Sequence, residues 1–258
     1  MILKNKKIIV IGGSGLIGSA IVKDLSSNGA KILVLDIKKP KKNTSVKNIK
    51  FINYDCSSKT FNQTFNKILE NRFKPDVFIN CSYPIISTKI RNNFKDINYS
   101  NFKESLEIHL NSYAWLAKTT AEYMRKKKIK GSIIQFSSIY GSVGQDLNIY
   151  KGVKNMRENM SYSVIKGGIN NLTNQMASYY GRYGIRINTV SPGAVEGHVK
   201  SSGKKQSKKF LKNYSQKVPL KRLAKPSEVA SAVTFLSSNL SSYITGINLF
   251  VDGGWTSI

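Results

Sequence analysis

Lys7-Ile8-Ile9-Val10-Ile11-Gly12-Gly13-Ser14-Gly15-Leu16-Ile17-Gly18 decides the fold. Five residues led by an apolar run stop at Gly12, as a strand buried on both faces should. A Gly-x-x-Gly-x-x-Gly turn follows, and then 19–28, with Ile21, Val22 and Leu25 at helical spacing and Gly29 closing the helix. Strand, glycine turn and helix in that order form a dinucleotide-binding context. Glycines let the backbone turn tightly against a pyrophosphate, and the helix N-terminus stabilises the charge. Gly12, Ser14, Gly15, Leu16, Ile17 and Gly18 are therefore the expected cofactor cradle.

Further strand tips extend that edge. Residues 31–36 read as the second strand, ending in Asp36, 18 positions after Gly18. A carboxylate there accepts hydrogen bonds from an adenosine ribose and repels a 2′-phosphate, which favours NAD(H) over NADP(H). Lys38, Lys39, Lys41 and Lys42 follow at once and soften that repulsion. Residues 49–54 form the third expected strand, with Asp55 and Cys56 beyond its tip near an adenine edge. A helix over 57–71 precedes a fourth strand over 75–80, whose tip is Asn80-Cys81-Ser82. A loop over 83–98 and a long helix over 102–128 come next. Within that helix Asn111 lies among Leu110, Ala114, Trp115 and Leu116, on a face expected to be buried. A buried amide must be hydrogen-bonded, so Asn111 is either a plug in a helix kink or the holder of a relay water.

The fifth strand, 131–136, ends in Ser137-Ser138, and a long connection over 139–160 leads to a helix that runs to about 183. That helix carries Tyr162 and Lys166 one turn apart on one face. An ammonium beside a phenol favours phenolate, making the phenol an acid/base below its free pKa of about 10. A sixth strand over 185–190 is broken at Ser191-Pro192-Gly193, and 194–217 reads as a lid. A helix over 226–237 and a strand over 247–251 complete the chain. Alternating strands and helices predict an α/β fold: one Rossmann-like, doubly wound parallel sheet of about seven strands, helices on both faces, in a single domain over 1–258. Ligands of such sheets bind at the strands' carboxyl ends, where Ser138 and Tyr162 should face one substrate oxygen with Lys166 beneath.

Composition narrows the partners. The formal net charge is +27, which suits an anionic small substrate or a generally basic, scattered surface. Aromatic residues do not interleave with the lysine clusters at 38–42, 125–130 and 204–209, so no nucleic-acid partner is expected. The two cysteines, Cys56 and Cys81, and the two histidines, His109 and His198, suggest neither a disulfide framework nor a metal site. No N-terminal signal pattern and no apolar run of membrane-spanning length occur, so a cytoplasmic protein without membrane insertion is expected.

Taken together, the glycine turn, Asn80, Asn111, Ser138, Tyr162-x-x-x-Lys166, Pro192-Gly193 and Val251-Asp252-Gly253-Gly254 resemble the short-chain dehydrogenase/reductase family over essentially the whole chain. The resemblance implies that Tyr162 is the general acid/base and that Lys166 binds the nicotinamide ribose and lowers the tyrosine pKa. It also implies that Ser138 orients the substrate oxygen, that Asn111 holds a relay water, and that the backbone at Val195, after Pro192 and Gly193, contacts the carboxamide. Relatives in the family form dimers or tetramers, so a homo-oligomer is expected. Ile11 stands where the family usually has threonine, Asn80-Cys81-Ser82 replaces Asn-Ala-Gly, and Gly197 replaces a threonine. The 24 positions from Ser138 to Tyr162 exceed the family's usual spacing. That insert, the Tyr83-Pro84 loop and the Ser191-Pro192-Gly193-Ala194 turn are similar to the oxidoreductases of flagellin glycan and legionaminic (nonulosonic) acid biosynthesis. They imply hydride transfer at a secondary alcohol or ketone of a sugar or sugar phosphate. Two alternatives stay open: a 3-oxoacyl-[acyl-carrier-protein] reductase, and a nucleotide-sensing or RNA-associated protein on the same scaffold.

Overall fold

The computed structural model describes residues 1–40, 48–71, 73–84, 92–154, 156–197 and 207–258. Seven strands form one sheet: β1 (Lys7–Ile11), β2 (Lys31–Asp36), β3 (Ile49–Asn53), β4 (Val77–Asn80), β5 (Ser132–Phe136), β6 (Arg186–Pro192) and β7 (Asn248–Val251). Their order is β3-β2-β1-β4-β5-β6-β7, and every neighbouring pair is parallel. Strand order reverses between β1 and β4, which opens the crevice where such sheets bind ligands.

Seven α-helices are described: α1 (Leu16–Ser27), α2 (Phe61–Glu70), α3 (Tyr99–Ser105), α4 (Ser112–Lys126), α5 (Met160–Tyr180), α6 (Lys208–Lys217) and α7 (Pro226–Ser237). Successive side chains of a strand point to opposite faces, and β1 feeds both cores accordingly. Ile8 and Val10 pack in one cluster with Ile21, Val22 and Leu25 of α1 and with Val229, Val233 and Leu236 of α7. Ile9 and Ile11 belong to a second cluster with Phe65 and Leu69 of α2, Leu116 of α4 and Met176 of α5. Burial on both faces explains why β1 is a continuous apolar run rather than an alternating one.

Two expectations need correction. The long helix over 102–128 is three pieces, because a π-helical turn at Leu106–Asn111 separates α3 from α4. Part of the expected lid is also a regular helix. Ser207 caps α6 by accepting from Phe210 N (3.4 Å), and Phe210 and Tyr214, one turn apart, are its buried anchors. The lysines around those anchors had masked its apolar stripe. Residues 198–206, including His198, lie outside the described residues.

Arg186 ties the C-terminal elements to the sheet. Its guanidinium donates to the carbonyls of Leu236 (2.9 Å), Ser238 (3.2 Å) and Ile244 (3.3 Å). Replacing Arg186 with Met removes one donor from each carbonyl, while Ser132, Ser241 and Asn188 still donate to them, so thermal or urea unfolding should show a loss of only about 1 kcal/mol.

Candidate active site

The cofactor side of the crevice is built from four strand tips. Gly12 follows β1 with φ +79°, and a Cβ there would lie 2.7 Å from the Ser82 backbone, so the turn needs glycine. No side chain caps α1, and its first turn holds no acidic residue, which suits an N-terminus that receives a pyrophosphate. At the end of β2 the Asp36 carboxylate accepts from Ser14 N (2.9 Å) and Lys38 N (3.0 Å). These contacts fix it beside the glycine turn, where a ribose edge would meet it. Asp55 Oδ1 accepts from Ser57 N (2.8 Å) and Ser57 Oγ (2.6 Å), which holds the tip after β3.

The tip of β4 explains the unusual Asn80-Cys81-Ser82. Asn80 Oδ1 accepts from Ser82 N (3.2 Å) and Ser82 Oγ (2.7 Å), while Cys81 Sγ donates to Ile11 O (3.1 Å). Cys56 Sγ donates to Ser82 Oγ (3.5 Å), and Tyr113 Oη to Ser82 O (2.7 Å). Burial raises the Cys56 thiol to about 11 and the Cys81 thiol to about 12, so both stay protonated as packing and donor groups. Asn80 Nδ2 is buried without a partner among the described residues, a donor left over at the crevice. A glycine cradle, a fixed carboxylate and this unpaired amide together fit a nicotinamide dinucleotide. Pro192 ends β6 opposite Val251, Gly193 N donates to Val251 O (3.1 Å), and Val195 bridges to Ala224.

The reaction side lies between the tip of β5 and α5. Asn159 caps α5 by accepting from Tyr162 N (2.9 Å), and Met160 N donates to Asn92 O (2.8 Å) of the segment before α3. Lys166 is buried, and its Nζ donates to Phe136 O (2.8 Å) while lying 5.6 Å from the Tyr162 ring centroid. Ser137 Oγ returns a bond to Lys166 O (2.8 Å), so strand tip and helix clamp each other. Burial lowers the Lys166 ammonium to about 7. Burial also raises the Tyr162 phenol, and hydrogen bonding from Ser138 pulls it partly back. Desolvation is therefore the larger effect on Tyr162, and its direction is opposite to the lowering expected from the lysine.

The connection over 139–160 is ordered by its own polar residues. Gln145 Oε1 accepts from Asn159 N (2.9 Å) and Tyr150 Oη (3.3 Å), and its Nε2 donates to Asn159 O (3.2 Å) and Ser163 Oγ (3.4 Å). Ile139 and Ile149 join Phe210 and Tyr214 of α6, with Trp255, in a third apolar cluster. Asn213 donates to the carbonyls of Ile149 (3.2 Å) and Lys151 (3.0 Å), and Lys217 pairs with Asp146. The insert and α6 thus pack as one body over the mouth of the crevice.

Asn111 does not occupy the position expected of it. It is half-exposed in the outer groove with Tyr99, Phe102 and Leu106, and its Nδ2 donates to Glu107 Oε1 (2.8 Å). A π-turn adds a residue to the helical repeat and rotates what it carries, so the interior position falls to His109. That histidine is 2 % exposed and stacks on Tyr83 with ring centroids 4.3 Å apart. Sequence reasoning missed it. The available signal was the spacing of 109, 113, 116 and 120, all of them buried.

Two substitutions probe this geometry. A Cβ on Gly141 would lie 2.5 Å from Ser137 Oγ and 2.7 Å from the Lys166 backbone. Gly141→Ala should therefore cost about 1–3 kcal/mol by overpacking and reduce turnover together with stability. Lys166 in the folded chain, at about 7, lies below its ordinary 10.5. Between these values the unfolded chain binds a proton that the folded chain lacks, so the stability contribution of Lys166 rises with pH across that window and is lowest below it. Lys166→Met should thus stabilise the chain by about 1–2 kcal/mol at pH 6 and by much less above pH 10.5, as read by melting across pH.

Comparison with known proteins agrees with this geometry. The family model described as enoyl-(acyl carrier protein) reductase matches residues 14–256. Post-translational flagellin modification protein A of Campylobacter coli is 29% identical over 98% of this chain and 99% of its own length. Sorbitol-6-phosphate 2-dehydrogenase of Klebsiella pneumoniae is 28% identical over 98% of this chain and 97% of its own. A short-chain dehydrogenase of Leptospira borgpetersenii, solved with bound NAD+, superposes with a TM-score of 0.85 at 34% identity, covering 98% of this chain and 93% of that one. The chain thus has full-length counterparts among dehydrogenases in sequence and in fold, and it belongs to the short-chain dehydrogenase/reductase family of NAD(P)-dependent oxidoreductases.

Proposed function

We propose that the protein moves hydride between NAD(H) and a secondary alcohol or ketone of a sugar or sugar phosphate in surface-glycan (nonulosonate) biosynthesis. The observation that carries this reading is the clamp of β5 on α5, which holds Ser138, Tyr162 and Lys166 on one edge of the crevice. The nicotinamide, when bound, supplies or accepts the hydride. Tyr162 gives its phenolic proton to the substrate oxygen during reduction and takes it back during oxidation. Ser138, hydrogen-bonded to Tyr162, orients that same oxygen. Lys166, beneath the phenol, keeps a cation near the phenolate and holds the nicotinamide ribose.

Asp36 favours NAD(H), because a 2′-phosphate would meet a carboxylate already fixed by Ser14 and Lys38. Gly12, Ser14, Gly15, Leu16, Ile17 and Gly18 cradle the pyrophosphate, and Asp55 and Cys56 flank the adenine. Asn80, Cys81 and Ser82 line the nicotinamide side, with Pro192, Gly193 and the backbone of Val195 opposite. A sugar suits the mouth of the site, where Tyr83 meets Tyr162 edge-on (5.7 Å) and the insert contributes Tyr140 and Tyr150. The relatives named for flagellin modification and for sorbitol 6-phosphate support that class, and the net charge of +27 suits an anionic one. We place the protein in the cytoplasm as a homo-oligomer; no helix among the described residues is long and apolar enough to cross a membrane.

The family model's acyl-carrier description favours one second reading, reduction of a 3-oxoacyl thioester. Oxidation of NADH and NADPH on an acetoacetyl thioester, set against a panel of phosphorylated and nucleotide-linked sugars, separates the two. Sugar-dependent turnover with NAD(H) is expected; thioester turnover with NADPH would displace the sugar reading. Tyr162→Phe should lower kcat at least about 100-fold while NADH binding, followed by fluorescence, stays within threefold. Retained turnover would remove Tyr162 from the chemistry.

A further inference from the structure

Tyr214 of α6 reaches from the third apolar cluster to the backbone on the cofactor side of the crevice. Its side chain is buried, stacked on Trp255 with ring centroids 4.4 Å apart and tilted against Phe210 at 5.7 Å. These two rings fix its plane, and its hydroxyl oxygen accepts from Ala194 N (2.9 Å). Burial pushes the phenol well above its ordinary pKa, and the bond from Ala194 pulls it partly back. The group is therefore a neutral hydroxyl throughout the working range.

Ala194 lies between the Pro192-Gly193 turn and Val195, in the segment assigned above to the carboxamide. Gly193 N donates to Val251 O (3.1 Å), Ala224 N to Ala194 O (3.0 Å), and Glu196 N to Ala224 O (2.8 Å). These three bonds join backbone to backbone, whereas Tyr214 reaches the segment with a side chain. The approach is close: a Cβ on Gly193 would lie 2.9 Å from Tyr214 Oη and 3.2 Å from Asp252 Cα. The same helix also holds the insert. Asn213 donates to the carbonyls of Ile149 and Lys151, Lys217 pairs with Asp146, and Phe210 stacks on Tyr150 at 6.3 Å. Helix α6 thus meets the substrate mouth through several side chains and the nicotinamide segment through one hydroxyl.

A part-buried N–H that loses its acceptor keeps the desolvation cost and loses the bond, so Ala194 N has reason to stay on Tyr214. We propose that Tyr214 is a positioning residue: its hydroxyl fixes the backbone at Ala194 and Val195 where the nicotinamide carboxamide binds, and so ties nicotinamide affinity to the packing of α6 on the insert. The inference deepens the proposed function and rests on the assignment of Val195 to the carboxamide made there.

The test removes the acceptor and keeps the ring. Tyr214→Phe retains the contacts with Phe210 and Trp255 and leaves Ala194 N without its partner; Tyr214→Leu takes its place if that variant fails to fold. Amide hydrogen exchange in the chain without cofactor, read by NMR, should quicken at least about fivefold at Ala194, the worth of one hydrogen bond. Amides of the glycine turn should exchange as before. Calorimetry then compares NADH with ADP-ribose, which lacks the nicotinamide. NADH should bind about fivefold more weakly to the variant, while ADP-ribose stays within about twofold. Unchanged protection at Ala194, unchanged NADH affinity, or equal losses for NADH and ADP-ribose would each overturn the proposal and leave Tyr214 a packing residue. Failure of the unsubstituted chain to bind NADH would count against the proposed function, and the exchange measurement, which needs no cofactor, would still decide whether Tyr214 holds the segment.

Discussion

Lys166 carries its amine where almost no water reaches, in a chain whose other described lysines are outside the core. The bond to Phe136 O and the returning bond from Ser137 Oγ to Lys166 O join the tip of β5 to α5 on the substrate side of the crevice. Much else follows from that clamp. Gly141 must lack a side chain so that the insert can approach the helix, and Asn159 must cap α5 so that Tyr162 begins in the right turn. Burying a cation is expensive. That cost is why burial lowers Lys166 to about 7, and in the proposed mechanism it is stability given up for chemistry.

Placement of the strand tips was legible early because it rests on a simple rule. Parallel strands buried on both faces read as apolar runs, and their ends coincide with the polar or glycine residues that follow. Gly12, Asp36 and Asn80 each stand directly after or at the end of such a run, Ser138 follows one by a single residue, and the sheet brings those ends to one edge. Asn111 failed the same kind of reasoning. Helical phase over 102–128 was counted at a constant period, and the π-turn at Leu106–Asn111 breaks that count. No residue in the turn is a proline or glycine that would have announced it. Helix α6 was hidden for another reason: Phe210 and Tyr214 are its apolar stripe, too narrow to stand out among lysines until the third cluster supplies their partners.

The insert over 139–160 and α6 are far apart in sequence but form one packed unit. In the proposed function, substrate selection falls to these two segments that hold each other, while the acid/base group sits on the regular helix below. Lysines are plentiful on α6, where several flank its buried anchors, so the positive charge reaches the approach to the site as well as the general surface.

The most direct test of the central claim follows the hydrogen atoms themselves. The protein is incubated with NADH deuterated at the nicotinamide C4 and with keto forms of phosphorylated sugars, and the products are analysed by mass and by NMR. The account predicts one deuterium on the former carbonyl carbon, with the hydroxyl proton taken from solvent through Tyr162. Binding of NADH without transfer of deuterium to any ketone offered would contradict it.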